Sequence, residues 1–296
     1  MAIKIYADAG SNLFPEIIEK RGLLDYIKVV NMHLQVGDHE YNCYNDPINV
    51  DDFSKIFYSY LEDPKIDVHT SLVNPGDFLN AFKDDIDAGN QIICFTMAKG
   101  ISGTYNSACV AANEVNESAG KTVVHVIDSA TAGLGEGRQA IKAAELARDG
   151  MGFEEIVDFC RNYRWKVRSE FTVNSISFLA KTGRVKPWVA RIADVLGIKA
   201  MLRGSYESNI ELYEKVRGRK MALKSLADIV VRKIVDPDKQ IIYLTHCNCI
   251  EDAETVKRLI LEKINTTIEI YHYDFVTGSH VGPGTVAIFY EGNDRN

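Results

Sequence analysis

The sequence predicts an α/β protein: a parallel sheet flanked by helices over residues 1–150, then a mixed α+β unit over residues 151–296. Three observations predict this. Apolar runs of strand length recur at residues 3–7, 66–68, 92–95 and 123–127. Each is followed by a loop and a stretch of helical periodicity. The runs show almost no polar alternation, as strands buried on both faces do, and such strands belong to parallel sheets.

The helices of the first half follow in order. The first is expected over 50–61. The second spans 76–88, where Phe78, Leu79, Phe82 and Ile86 share one face, Asp77 can cap the start and Gly89 follows the end. A third runs over 104–118, ending near Gly120, and a fourth over 137–148, ending at Gly150. After Met151 the pattern changes. Helices at 153–166 and 188–196 enclose a strand at 170–173, and a hairpin-like stretch occupies 198–216 with its turn around Gly204. A helix at 220–234, a strand at 240–245, a helix at 253–264 and strands at 267–273 and 285–290 complete the chain. No Gly/Ser linker marks the join, so the halves should share a broad interface with a cleft for a ligand.

The chain has 296 residues, 46% hydrophobic and 25% charged, which is globular composition. Its 34 Lys+Arg against 41 Asp+Glu give a net charge of −7, and no basic cluster dominates, which argues against nucleic acid as a partner. The six cysteines are scattered, two of them inside apolar runs, as in reduced proteins. An acidic residue already at Asp8, no signal-type apolar segment and no run approaching ~18 apolar residues lead to an expectation of a cytoplasmic protein.

In a parallel sheet, ligands gather at the carboxyl ends of the strands, where loops and helix N-termini converge. Those ends carry Asp8 to Asn12, Thr70-Ser71, Thr96 through Ser102-Gly103-Thr104, and Asp128-Ser129. They offer hydroxyls and small residues, and apart from Lys99 no cation, which suits a carboxylate better than a phosphate. The same residue types are also ordinary N-caps. Asp8 and Asp128 are read as anchors of neighbouring loop amides rather than as a catalytic pair. Gly278-Ser279-His280-Val281-Gly282-Pro283-Gly284 reads as a turn between two strands, and His280 could donate to a carboxylate in either protonation state.

Several motifs fail. Gly133-Leu134-Gly135-Glu136-Gly137 is followed by Arg138 where a dinucleotide loop needs glycine, and there is no Walker A sequence. No Gly-x-Ser-x-Gly elbow is present, and Ser102 has no evident base. His246-Cys247-Asn248-Cys249 lacks the second pair that a zinc site requires, so no metal is expected. The one concentrated basic run is Lys215-Val216-Arg217-Gly218-Arg219-Lys220, either a solvated surface or a docking patch for an acidic partner.

Taken together, the motifs resemble the DegV family, which includes the FakB-type fatty-acid-binding subunits of bacterial fatty acid kinase. The segments that carry the resemblance are Ala7 to Leu13, Thr70 to Phe78, Ile101 to Ala108, Val126 to Ser129, Phe178 to Arg184, Lys215 to Leu223 and Gly278 to Gly284, in the family's order and spacing. Departures are Leu72-Val73-Asn74 for Gln-Pro-Ser, Thr182 for a glycine, and Ala200 for a proline. The resemblance implies one long-chain fatty acid in a tunnel between the halves. Its carboxylate would be held at Thr70, Ser71, Ser102, Gly103 and His280, with no cofactor. The protein would be no enzyme itself but would present the carboxylate to a separate ATP-using kinase subunit, with Lys215, Arg217 and Arg219 as candidates for docking it. Hydroxyls with one titratable histidine, rather than a fixed arginine, would leave the head group reactive. The competing reading is an enzyme in the same cleft, a small-molecule phosphotransferase or a hydrolase using Ser102.

Overall fold

Three sheets organise the described residues, 2–42, 44, 49–191, 197–293 and 295 of a computed structural model. The first contains β1 (Ile3–Asp8), β2 (Ile27–Val30), β6 (Gln91–Thr96) and β7 (Val124–Asp128), in the order β2-β1-β6-β7 with every pair parallel. Side chains alternate between its faces. Ile5, Ala7, Ile93 and Phe95 join one apolar cluster while Tyr6, Ile92 and Cys94 join another. Burial on both sides is why these strands read as unbroken apolar runs.

Helices α3 (Pro75–Asp87) and α4 (Thr104–Ala119) cover the outer face. Asn74 caps α3 by accepting from the Asp77 amide, and Asp77 completes a capping box as the third helical residue instead of serving as the cap. Helix α5 (Leu134–Arg148) lies on the inner face and also touches the third sheet. Its glycines serve that double packing. A Cβ at Gly137 would stand 2.5 Å from the Ser11 carbonyl oxygen, and Gly133 adopts φ +60° against Tyr273 and Phe289. The Gly-Leu-Gly-Glu-Gly motif is therefore a packing device.

The third sheet contains β8 (Val167–Thr172), β9 (Ile198–Gly204), β10 (Ile210–Arg217), β11 (Ile241–His246), β12 (Thr267–His272) and β13 (Val286–Glu291), ordered β10-β9-β8-β13-β11-β12. Only β11 and β12 pair in parallel. Helices α9 (Arg219–Lys233) and α10 (Ile250–Leu261) cover its outer face through Leu226, Val230, Val256 and Ile260, and α6 (Phe153–Tyr163) packs beside α5.

Four features depart from the sequence expectation. The run placed at 66–68 is β5 (Val68–Ser71), which joins not the parallel sheet but a small antiparallel one with β3 (His33–Val36) and β4 (His39–Tyr41). Four residues that alternate between partly buried and exposed suit a two-sided edge, not a buried strand. The glycine-rich stretch near 280 is helical, α11 (Phe275–Val281), with Asp274 accepting from the Thr277 amide at 2.7 Å. Gly278 is needed there because a Cβ would stand 2.3 Å from the Tyr58 hydroxyl on α2 (Val50–Glu62). The helix expected at 153–166 stops at Tyr163, and β8 starts earlier than 170. The helix expected at 188–196 is seen as α8 (Pro187–Ala190), with residues 192–196 outside the described residues.

Candidate functional site

A cavity of about 640 Å³ lies between the first and third sheets. Its apolar wall includes Met32, Met97, Phe171, Leu179, Val276 and Phe289. All five residues singled out for a carboxylate, Thr70, Ser71, Ser102, Gly103 and His280, line it. They arrive from separate elements. Thr70 and Ser71 end β5, Ser102 and Gly103 precede α4, and His280 projects from α11.

Thr70 and His280 meet directly, with Oγ1 2.9 Å from Nε2. The His280 ring is largely buried, its Nδ1 has no hydrogen-bond partner, and burial, followed by the nearby Arg184 cation, pulls its pKa down to about 4. The ring is thus neutral at pH 7. Protonation at Nε2 leaves only a lone pair unmatched at Nδ1 and lets Thr70 accept from His280, freeing the Thr70 hydroxyl hydrogen to donate into the cavity. Ser102 Oγ lies 2.9 Å from Thr104 Oγ1 and accepts from the Thr104 amide at 3.2 Å, forming a turn just ahead of α4, whose N-cap position is Gly103. The N-terminus of α4 therefore faces the cavity, where its dipole favours an anion. Ser102 has no histidine beside it to act as base, because the His280 bond goes to Thr70.

Two cations also line the cavity. Lys99 comes from a strand end, as its position implied. Arg184 follows α7 (Ser177–Lys181), away from any strand end; it donates to the Thr182 carbonyl, and burial lowers its pKa. No carboxylate pairs with Arg184 among the described residues, and it is a cation that the strand ends did not offer. Its motif was visible in the sequence, but its direction into the cavity depends on the α7–α8 turn.

The strand-end aspartates anchor loops. Asp8 accepts from the Gly10 and Met97 amides at 2.8 Å each, and Asp128 accepts from Ala130 at 2.9 Å, Lys99 at 3.2 Å and the Ser208 hydroxyl at 2.6 Å. Burial pushes Asp8 up to about 6 and Asp274 up to about 7, and raises Glu136 well above the carboxylate range. Among the described residues no group of three or more His, Cys, Asp or Glu is arranged to hold a metal ion, and no helix is long and apolar enough to cross a membrane.

The basic run lies elsewhere. Lys215 and Arg217 are exposed on β10, an edge strand, and do not line the cavity. Arg219 is only partly exposed. It pairs with Asp252 at 2.7 Å and donates to the Gly284 carbonyl at 2.6 Å, bracing the loop after α11.

A family model described as "Uncharacterised protein, DegV family" matches residues 2–293. The chain belongs to the DegV family. A DegV domain-containing protein of Clostridium perfringens is 34% identical over 292 residues, covering 98% of each chain, and one from Lactococcus lactis is 26% identical over 290 residues, 98% and 97% of the two chains. Among solved DegV structures, a Ruminococcus gnavus protein refined with vaccenic acid aligns with a TM-score of 0.83 at 25% identity, covering 98% of this chain and 99% of that one. The fatty acid kinase B3 protein of Streptococcus pneumoniae, loaded with linoleic acid, aligns with a TM-score of 0.80 at 24% identity, covering 99% and 100%. DegV proteins of this fold are thus found with long-chain fatty acids bound.

Proposed function

We propose that the protein binds one long-chain fatty acid in the cavity between its two halves, 1–150 and 151–296, and presents the carboxylate to a separate ATP-dependent kinase subunit. The observation that carries this is the Thr70–His280 hydrogen bond at the edge of a mainly apolar cavity. An alkyl chain in water costs about 0.8 kcal/mol per methylene, so a carrier must enclose nearly all of it. About 640 Å³ lined by methionine, leucine and aromatic side chains suits that guest.

The carboxylate takes the Thr70 and Ser102 hydroxyls, the Ser71 and Gly103 edge and the α4 dipole, with His280 orienting Thr70. Arg184 supplies charge from one side. Neither hydroxyl is activated as a nucleophile, since Ser102 bonds Thr104 and Thr70 bonds a neutral histidine that is itself a weak base. The protein accordingly acts as a cytoplasmic carrier with no cofactor, and chemistry falls to the partner. The relatives found with vaccenic and linoleic acid support the choice of guest.

Native mass spectrometry of protein purified from a bacterial host tests the binding. One equivalent of fatty acid, released on denaturation, is expected; an empty protein that takes up no oleate, or one that turns over an ester or a phosphorylated compound, overturns it. Acyl phosphate formation on adding a bacterial fatty acid kinase catalytic subunit and ATP tests presentation.

A further inference from the structure

Arg295 is absent from the cavity lining yet holds part of its wall. It lies beyond β13, and its buried side chain donates to four main-chain carbonyls: Ala130 at 2.6 Å, Arg164 at 2.9 Å, and Ser205 and Val167 at 3.2 Å. Its guanidinium stands 5.5 Å from the centre of the Trp165 ring. Burial is costly for a cation unless its donors are satisfied, and here carbonyls rather than a paired carboxylate satisfy them. Burial lowers its pKa to about 10, so it stays charged at neutral pH.

These carbonyls belong to three places in the fold: the loop between β7 and α5, the turn between α6 and β8 together with the first residue of β8, and the turn between β9 and β10. Ala130 adopts φ +57°, a conformation disfavoured for any residue with a Cβ. Asp128 accepts its amide and Arg295 donates to its carbonyl, so the unusual backbone is fixed from both sides. Ala130, Ser169 and Gly204 all line the cavity here. A Cβ on Gly204 would stand 3.1 Å from the Ala130 oxygen, 3.2 Å from Ser169 Oγ and 3.4 Å from Arg295 Nη1. This wall has no slack.

We propose that Arg295 is a positioning residue for acyl-chain specificity: by holding the Ala130 carbonyl it fixes the β8–β9 side of the cavity and so the length and shape of chain accepted. The inference rests on the fatty-acid reading above. Thr70 and His280 are carried by other elements, so chain choice should change while head-group recognition persists.

The test offers the Arg295→Met protein a mixture of straight-chain fatty acids of graded length and reads the bound profile by native mass spectrometry. Preference for the favoured chain over its next-longer homologue should fall by about tenfold, the discrimination a single methylene misfit carries in a rigid pocket. A folded variant with the wild-type profile overturns the proposal. Should Arg295→Met not fold, Arg295→Lys gives the reading, because one ammonium keeps the charge but cannot serve four carbonyls with fork geometry; a wild-type profile there overturns it equally. Adding Ala130→Gly to Arg295→Met should move the profile back, since glycine adopts positive φ freely, and a recovered melting temperature without a recovered profile also sinks it. Wild-type protein that binds none of the acids defeats the fatty-acid reading itself, and this inference with it, so the two failures are distinguishable.

Discussion

His280 Nε2 stands 2.9 Å from Thr70 Oγ1, a bond that joins α11 to β5 across 210 positions of sequence and places both groups on the cavity. Because the imidazole is neutral, it orients the threonine rather than charging the site. Thr70→Val and His280→Phe should each weaken fatty-acid binding by about tenfold or more, the value of a charge-assisted hydrogen bond. The double variant should be little worse than either single one, since both serve one carboxylate. Displacement of a fluorescent fatty acid measures all three, and full additivity would separate the two residues.

Ser102→Ala should show two effects. Losing the oxygen that accepts from the Thr104 amide should lower stability by about 1 kcal/mol, the ordinary net value of one hydrogen bond. Losing the donor to the carboxylate should weaken binding by about 1.5–3 kcal/mol. Denaturant titration of protein stripped of lipid reads the first and ligand displacement the second. A stability loss with unchanged affinity would restrict Ser102 to holding the turn ahead of α4.

Arg184 and His280 are electrostatically coupled, and the arginine helps to hold the histidine near 4. Arg184→Met should therefore raise the His280 pKa, and it should weaken carboxylate binding more at low salt than at high. An NMR titration of the imidazole follows the first effect. An unmoved pKa would show that burial alone keeps the ring neutral.

Much of this architecture was legible because burial leaves a pattern in sequence. β1, β6 and β7 could be read because both their faces are covered. The hairpin of β3 and β4 was missed, since His33-Leu34-Gln35-Val36 is a short, only partly buried strand in the middle of the small sheet, and its pairing depends on distant β5. α11 was hidden because glycine marks turns, whereas Gly278 is there to admit Tyr58. The residues assigned to the head group came from motifs, and the structure brings all five to one cavity. Arg184 and Arg295 were not assigned to it, because their directions are set by packing between segments far apart in the chain.

Asp8 and Asp274 keep protons in the folded protein that the unfolded chain has already released, with values of about 6 and 7. Stability they contribute is present below the ordinary carboxylate range and is lost as pH rises through 6 to 7. His280, held near 4, acts oppositely, costing stability as pH falls from about 6.5 to 4. Asp274→Asn keeps an oxygen for the Thr277 amide and removes the titration. Relative to wild type it should gain about 1 kcal/mol or more at about pH 8 compared with about pH 5, one pKa unit of linkage being worth that much. Urea midpoints at the two pH values measure it, and a pH-independent difference would place the titration elsewhere.

The basic run divides into two parts with different expected effects. Lys215 and Arg217 are exposed on the β10 edge and are not part of the cavity lining. Reversing both to glutamate should slow phosphorylation by a kinase subunit while bound lipid stays at one equivalent, because rim charges govern encounter and register. High salt should mimic the pair, as exposed charges are screened beyond about 10 Å at 0.1 M. Arg219→Glu should behave differently. It breaks the pair with Asp252 and the bond to the Gly284 carbonyl, and that carbonyl belongs to the loop after the helix carrying His280. Bound fatty acid should therefore fall along with phosphorylation. Phosphorylation rates and lipid content measured on the same preparations decide it: loss of lipid in the Lys215/Arg217 pair would put those residues at the tunnel mouth, and retention of lipid in Arg219→Glu would remove Arg219 as the brace of that loop.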